Sequence, residues 1–125
     1  MDENAIGEKV IGCALTVHRA LGPGLLEGAY EACLAHELVK AGLEVGRQVV
    51  LPVVYDGVEV EAGYRLDLLV SGRVVVEIKT VEALAPIHRA QLLSYLKLGG
   101  FRLGYLLNFN VWMLRDGVLR LANGL

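Results

Sequence analysis

The chain has 125 residues and a formal net charge of −2, so it is long enough for one domain with a proper core and has no general attraction for nucleic acid. Hydrophobic residues make up 54% of the sequence without counting glycine, which indicates that most elements are substantially buried. No apolar run reaches the roughly 18–20 residues that span a bilayer, and no signal peptide opens the chain, so we expect no membrane association.

Two helices are predicted before the first strand. The first has Asp2 or Asn4 as its cap, continues with apolar residues at helical spacing, and is broken by Leu-Gly-Pro-Gly at 21–24. The second spans about 26–41 and stops at Gly42. Four residues of this second helix share one face: Glu27, Tyr30, Glu31 and Leu34.

Three antiparallel strands in a meander are predicted next. They cover residues 47–55, 58–70 and 73–80. The first contains Pro52, which is typical of an edge or bulged strand. Asp56-Gly57 is a strong hairpin signal between the first two strands, and Ser71-Gly72 forms the second corner.

The register of the second hairpin decides whether its charged residues meet. A two-residue loop pairs Val70 with Arg73 and leaves each carboxylate among aliphatic side chains. A loop one residue longer, or a bulge, pairs Val70 with Val74 and Asp67 with Glu77. Because a one-residue slip moves every side chain to the other face, the hydrophobic pattern selects the longer loop. The apolar face then contains Leu66, Leu68, Val74, Val76 and Ile78, and the charged face contains Arg65, Asp67, Glu77 and Lys79.

A third helix and three more strands complete the predicted order ααβββαβββ. The helix runs from Pro86 to about Leu98 and ends at Gly99-Gly100. Residues 101–109 are apolar on both sides, which is typical of a central strand that returns parallel to 74–80 by a right-handed crossover. Residues 111–114 and 118–121 are predicted to form a closing hairpin. The sequence therefore predicts an α/β unit with helices against a mixed sheet.

Asp67 and Glu77, placed directly opposite each other, form a candidate metal site. Carboxylates about 4.5–5.5 Å apart at Cβ repel each other, and a divalent cation between them removes that repulsion. Hard oxygen ligands suit magnesium or manganese. Lys79 follows Glu77 by two residues on the same face, close enough to orient or deprotonate a metal-bound water. The alternative is a surface salt-bridge cluster of these three residues with Arg65.

Three motifs carry a resemblance to a known group of proteins. Asp67, nine residues, then Glu77-Ile78-Lys79 resembles the Asp…(Asp/Glu)-x-Lys signature of the PD-(D/E)XK nuclease superfamily, with Leu66 where the proline of the name would stand. Gln91 and Tyr95 resemble the Gln-x-x-x-Tyr element of its RecB-like exonuclease branch. The segment from Gly24 to Tyr30 matches Gly-x-x-Glu-x-x-Tyr, the motif of the bacterial and archaeal GxxExxY proteins grouped with this superfamily. The resemblance covers nearly the whole chain, in order.

The resemblance implies a restriction-endonuclease-like core over residues 1–125 and metal-dependent hydrolysis of nucleic acid, DNA rather than RNA. It implies Mg²⁺ or Mn²⁺, and its implied ligands are Glu27, Asp67, Glu77 and the backbone carbonyl of Ile78. Lys79 would position water or stabilise the transition state, and Gln91 and Tyr95 would steady the site or the phosphate. Glu27 also suits the first turn of a helix on electrostatic grounds alone, and Gln91 could instead bond a neighbouring loop. Gly24 belongs to the motif, Tyr30 is expected to pack near the site, and His18 is expected to touch substrate or metal, or to be structural.

Two other interpretations of function stay open. The acidic balance and the absence of an evident basic groove favour a weak or inactive nuclease-fold binding or assembly module that acts with a partner. An active enzyme of this size would need a homodimer or a protein partner to hold its substrate. A structural protein with a plain salt-bridge cluster is the third interpretation.

Cys13 and Cys33 are twenty residues apart, neither a metal-site spacing nor a disulfide framework, which indicates reduced core cysteines of a cytoplasmic protein.

Overall fold

The computed structural model describes residues 1–61 and 63–125, over which three helices pack on a sheet. The helices are α1 (Glu3–Leu21), α2 (Glu27–Lys40) and α3 (Pro86–Gly99). The strands are β1 (Val45–Val50), β2 (Val53–Tyr55), β3 (Val58–Val60), β4 (Arg65–Val70), β5 (Val74–Lys79), β6 (Leu103–Asn108) and β7 (Val118–Ala122). Position 62, which the predicted strand over 58–70 includes, lies outside the described residues. None of the described helices combines the length and the apolar character that crossing a membrane requires.

Five of the described strands form one mixed sheet in the order β1-β4-β5-β6-β7. β5 and β6 are parallel, and the other neighbouring strands are antiparallel. The predicted parallel return of the chain after α3 is confirmed, with a register that runs from Val74↔Leu103 to Lys79↔Asn108. Because helices cover both faces of this sheet, the predicted α/β class is confirmed as well.

Two apolar clusters fill the space on either side of the sheet. The cluster beneath α1 and α2 contains Ile6, Val10, Tyr30, Leu34, Leu68, Val76, Ile78 and Phe109. The cluster beneath α3 contains Leu66, Val75, Leu92, Tyr95, Leu96 and Leu106. β6 is buried along its whole length, as a central strand covered on both faces should be. Cys13 and Cys33 are half-buried and pack against the margin of the first cluster.

The hairpin between β4 and β5 has the predicted register. Val70 pairs with Val74, and the pairing continues to Leu68↔Val76, so the loop has three residues. Ser71 and Gly72 both have positive φ, 52° and 65°. One step beyond the last pair, this register brings Asp67 on β4 opposite Glu77 on β5.

The first two predicted strands of the meander are each interrupted. The chain divides into β1 and β2 at Pro52, which has no backbone N–H to donate to a ladder. Its partner strand divides correspondingly into β3 and β4, and β2 pairs with β3 across the predicted Asp56-Gly57 turn. The prediction of two continuous strands is therefore wrong, although the N–H of Leu51 still donates to the C=O of Tyr64 at 2.9 Å between the two ladders.

The predicted closing hairpin is also wrong. Its second half forms β7, which pairs antiparallel with β6, whereas residues 114–117 form a 3-10 turn and Val111 belongs to no strand. The C=O of Val111 lies 2.8 Å from Nε2 of His18, which holds this segment away from the sheet. Gly117 packs so closely on the C=O of Asn108 that a Cβ would collide with it, so the turn requires glycine. The observed order of helices and strands is ααβββββαββ.

Candidate active site

Asp67 and Glu77, which we call the acidic pair, are joined through the backbone of their strands. Glu77 Oε2 accepts a hydrogen bond from the N–H of Asp67 at 2.7 Å, and Asp67 Oδ2 accepts one from the N–H of Ile78 at 2.8 Å. These side chains therefore replace the regular pairing of β4 with β5, which ends one residue earlier. Glu77 is 5% exposed, whereas Asp67 is half-buried.

The environment of the acidic pair opposes ionisation of both carboxyl groups. Burial, and then the charge of Asp67, raises the pKa of Glu77 from 4.5 to about 8. Burial also raises the pKa of Asp67, while hydrogen bonds from Ile78 and Gln48 lower it. Because ionising both groups is unfavourable, a cation at this position would be stabilised by the charge it neutralises.

The acidic pair lies beside the point at which β1 and β4 change the face that they present to each core. Leu68 belongs to the cluster under α1 and α2, whereas Leu66 belongs to the cluster under α3, so their predicted common face is wrong. Opposite Asp67, Gln48 on β1 has a φ of 51°, and the pairing of β1 with β4 skips this position. The left-handed conformation of Gln48 on β1 therefore lies opposite the point at which β4 changes face.

Lys79 lies at the end of β5, two residues beyond Glu77. Its charge lowers the pKa of both members of the acidic pair. Within residues 1–61 and 63–125, no ion pair involves Lys79, Arg65 or either carboxylate of the acidic pair. The salt-bridge-cluster interpretation is therefore wrong, and the Lys79 ammonium is available to another partner.

Glu31 on α2 reaches the acidic pair through Gln48. It is 7% exposed and accepts hydrogen bonds from Arg47 at 3.0 and 3.2 Å and from Gln48 at 2.6 Å. The amide of Gln48 also donates to Asp67 Oδ1 at 3.3 Å, so one side chain links two carboxylates. In the sequence, Glu31 shares one face of the second helix with Glu27, Tyr30 and Leu34, and no role was predicted for it. The signal for that role was the polar Arg47-Gln48 pair inside a strand.

Glu27, the predicted α2 ligand, lies in the first turn of the helix, one turn before Glu31, and it is exposed. The end of α2 leads into Val45, which pairs with Val70, so the start of the helix lies toward the opposite end of the sheet, where the acidic pair is. In the described part of the chain, no three His, Cys, Asp or Glu side chains are grouped to hold a metal ion. The structure thus brings together two of the three predicted acidic ligands.

α3 places Tyr95 beside the acidic pair. This side chain is 7% exposed, and its ring centroid lies 5.8 Å from that of Tyr64. Burial, and then the charge of Glu77, raises the pKa of the Tyr95 hydroxyl, so the phenol stays protonated and keeps a proton to donate. Gln91, one turn nearer the helix start, is exposed, and its amide makes no hydrogen bond within the described residues.

Three further predicted residues lie in or beside the loops at this end of the sheet. The hydroxyl of Tyr30 donates to the C=O of Gly22 at 2.5 Å and accepts from the N–H of Leu25 at 3.1 Å. These bonds fix the loop that contains Gly24, whose φ of 101° favours glycine. His18 contacts the loop after β6, as described above. Tyr30 and His18 therefore bond to loop backbone, and neither bonds to the acidic pair.

One known protein family matches this chain over most of its length. The family model of the PD-(D/E)XK nuclease superfamily matches residues 4–121. The chain belongs to this superfamily. The observed α/β fold, with helices on both faces of a five-stranded mixed sheet, is consistent with this assignment. Comparisons with curated proteins and with solved structures each find no match.

Membership in the PD-(D/E)XK superfamily indicates nuclease function in general, association with nucleic acid, and the use of divalent metal ions that is typical of these nucleases. The residues present fit such an ion in their chemistry. Asp67 and Glu77 offer carboxylate oxygens, the donors that Mg²⁺ and Mn²⁺ prefer, and their mutual repulsion is the electrostatic condition that a cation relieves. Asp67, Glu77 and Lys79, in which the sequence resembles the superfamily signature Asp…Glu-x-Lys, lie on the adjacent strands β4 and β5.

Proposed function

We propose that this chain is a Mg²⁺- or Mn²⁺-dependent nuclease that hydrolyses phosphodiester bonds of nucleic acid, DNA rather than RNA. The observation that carries the proposal is the acidic pair, two carboxylates that each accept a hydrogen bond from the backbone of the other's strand, with Lys79 two residues beyond Glu77. A purely structural cluster would place Lys79 in an ion pair with one of the carboxylates. Among the described residues Lys79 forms no ion pair, and burial beside Asp67 raises the pKa of Glu77 to about 8; a shift with these two causes supports a functional site.

Each residue of the site has a role in this proposal. Asp67, Glu77 and the backbone carbonyl of Ile78 hold the metal, and Glu27 completes its ligands from the start of α2. A bound Mg²⁺ or Mn²⁺ would supply activation of water and neutralisation of phosphate charge. Lys79 orients the attacking water and donates to the phosphate oxygens, where negative charge develops. Two groups on α3 steady the scissile phosphate by donating hydrogen bonds, the amide of Gln91 and the hydroxyl of Tyr95.

We also propose the finer assignments that the sequence motifs favour. They place the chain among the GxxExxY proteins and the RecB-like branch, as one domain over residues 1–125 of a cytoplasmic prokaryotic protein. Tyr30 and Gly24 act here as structural parts of the motif, because they fix the loop that leads to Glu27. A homodimer or a protein partner would supply the substrate-holding surface that a chain with a net charge of −2 does not provide by charge alone.

A second function, a nuclease-fold module without activity, is favoured by one observation. Glu31, the buried carboxylate of α2, is already satisfied by Arg47 and Gln48, so the site as folded offers two carboxylates rather than three. In this case, the acidic pair would stabilise the fold with Glu77 protonated, and binding of a partner would be the function.

Metal binding separates these two functions without requiring a substrate. Calorimetric titration with Mn²⁺ and Mg²⁺ should show saturable binding to the wild type that Glu77→Ala abolishes. Glu59→Ala, which removes an exposed glutamate of β3, is the matched control and should bind as the wild type does. Cleavage assays on DNA and RNA would then test the reaction. Metal binding equal in wild type and Glu77→Ala, with no metal-stimulated cleavage, would favour the inactive module.

A further inference from the structure

Trp112, the single tryptophan of the chain, is 90% exposed in the loop after β6. Its neighbour Met113 is 50% exposed, and Leu26, just before α2, is 83% exposed. Trp112 and Met113 are adjacent and line one cleft together, and contiguous exposed apolar surface of this kind marks interaction sites on soluble proteins. Neither the acidic pair nor the superfamily signature involves this loop.

Two clefts border the indole. One of about 380 Å³ is lined by Pro23, Gly24, Asn110, Val111 and Trp112. The other, of about 260 Å³, is lined on its polar side by His18, Arg19 and Arg115. We call this region, with Trp112 between the two clefts, the Trp112 platform. It offers an aromatic face, room for a planar group on either side, and two guanidinium groups at its margin.

The loop that contains Trp112 is held by contacts with two helices. His18 Nε2 lies 2.8 Å from the C=O of Val111, next to Trp112 in sequence. Phe109, at the base of the same loop, is stacked on Tyr30 with ring centroids 4.6 Å apart. The loop that presents the indole is therefore tied to both α1 and α2, which reduces the conformational entropy that a ligand would have to remove.

The two arginines carry charge that nothing in the described chain neutralises. Arg19 and Arg115 are both exposed, and no ion pair within residues 1–61 and 63–125 includes either of them. This holds even for Asp116, which follows Arg115 directly in sequence. A local pair of unneutralised guanidinium groups beside an aromatic face matches a ligand that combines phosphate with a planar base.

The platform lies at the same end of the sheet as the acidic pair. β5 and β6 run parallel, so Lys79 and Asn108 end them side by side, and the N–H of Phe109 donates to the C=O of Lys79 at 3.0 Å. The Trp112 loop continues directly from that point. One extended polynucleotide strand would therefore contact both the Trp112 platform and the acidic pair.

We propose that the Trp112 platform binds single-stranded nucleic acid, with a base stacked on the indole and neighbouring phosphates on Arg19 and Arg115. The inference rests on the proposed nuclease function only for the claim that this strand is the substrate. An unpaired base has a free face for stacking, whereas a base within a duplex is already stacked on both sides. The chemistry of the platform thus selects single strands over duplexes.

The test uses Trp112 as its own reporter, because its fluorescence is the only tryptophan signal of the chain. A fluorescein-labelled oligodeoxythymidylate is titrated into the full chain with EDTA present, so that binding is measured without metal or cleavage. We expect saturable quenching of the indole that weakens with added salt. By fluorescence anisotropy of the label, Trp112→Ala should weaken binding about 5- to 150-fold, and this exposed position should tolerate the change without unfolding.

Charge and partner controls complete the test. Arg19→Ala with Arg115→Ala should weaken binding and reduce its salt dependence, whereas Lys97→Ala, an exposed cation at the far end of α3, should change neither. Unchanged affinity in Trp112→Ala, or equal competition by duplex, would overturn the proposal. So would concentration-dependent self-association that Trp112→Ala abolishes while oligonucleotide affinity stays the same, since that result assigns the surface to a protein. Cleavage without platform binding would overturn this inference alone, and platform binding without metal-stimulated cleavage would count against the nuclease proposal alone.

Discussion

Asp67 and Glu77 exchange hydrogen bonds through backbone rather than with each other. Glu77 accepts from the N–H of Asp67 at 2.7 Å, and Asp67 accepts from the N–H of Ile78 at 2.8 Å. Each carboxylate thereby satisfies a donor that lost its strand partner where β4 and β5 diverge. The arrangement fixes both side chains in place before any ion arrives, and it couples the ionisation of the site to the stability of the sheet.

Metal binding near neutral pH should release protons. Because the pKa of Glu77 is about 8 without metal, its carboxyl is mostly protonated at pH 7, and a cation must displace that proton. We expect release of close to one proton per Mn²⁺ bound at pH 7 and much less at pH 9. Calorimetry in two buffers with different ionisation enthalpies measures this number. Heats that are independent of the buffer at pH 7 would show that Glu77 is already ionised.

Without metal, the free energy of unfolding should fall as pH rises from about 4.5 to about 8. The unfolded state loses the Glu77 proton near pH 4.5, whereas the folded state keeps it to about pH 8, so the folded state binds more protons across this window. The contribution should be up to about 1.4 kcal/mol per pH unit, and it should level off above the folded pKa.

Urea denaturation in EDTA, at intervals from pH 5 to pH 9, measures this dependence. Glu77→Gln cannot ionise and keeps a similar shape, so its stability should vary less over the window and should exceed that of the wild type above pH 8. A Glu77→Gln profile parallel to that of the wild type would assign the pH dependence to other groups.

Substitutions of Glu27 and Glu31 should affect different properties, Mn²⁺ affinity for Glu27 and the free energy of unfolding for Glu31. Glu31→Ala removes three hydrogen bonds to Arg47 and Gln48 and should lower the free energy of unfolding by about 2 kcal/mol. Glu27→Ala, at an exposed position with no such bonds, should change it by less than about 0.5 kcal/mol. For Mn²⁺ affinity, we expect Glu27→Ala to weaken binding in a stably folded protein. Urea denaturation and calorimetry on both variants test this; no loss of affinity in Glu27→Ala would remove Glu27 from the ligands.

The register of the β4–β5 hairpin could be predicted because it depends on local alternation. Pairing Val70 with Val74 is the arrangement that buries the apolar residues of β5 on the α1–α2 face, and apolar alternation is visible in the sequence. The change of face at Gln48 was not predictable in this way. A φ of 51° is uncommon for glutamine, and here tertiary contacts with Glu31 and Asp67 accompany it.

The errors at the end of the chain have a similar cause. Val111 to Leu114 has the apolar composition of a strand, but His18, 93 residues earlier in sequence, holds the C=O of Val111 outside the sheet. Long-range contacts of this kind leave no local pattern. The same limit applied to the candidate site, where motif spacing identified Asp67, Glu77 and Lys79, while the link from Glu31 through Gln48 required the folded structure.

Asn108 should control the position of the chain that follows Lys79. Its side chain is 1% exposed, donates to the C=O of Val81 at 2.9 Å, and accepts from the N–H groups of Val81 at 3.1 Å and Asn110 at 3.2 Å. Asn108→Leu removes these bonds and leaves backbone groups unsatisfied near the acidic pair, so we expect a loss of about 2–4 kcal/mol in the free energy of unfolding.

Asn110→Ala is the matched control for this variant, because the Asn110 side chain is exposed and should contribute less than about 0.5 kcal/mol. The Asn108 variant should also lose nuclease activity under conditions in which it remains folded, since Lys79 is the residue before the loop that Asn108 holds. Urea denaturation and a cleavage assay at a low temperature measure the two effects separately. Full activity in folded Asn108→Leu would show that the position of Lys79 is set by β5 alone, through its pairing with β6.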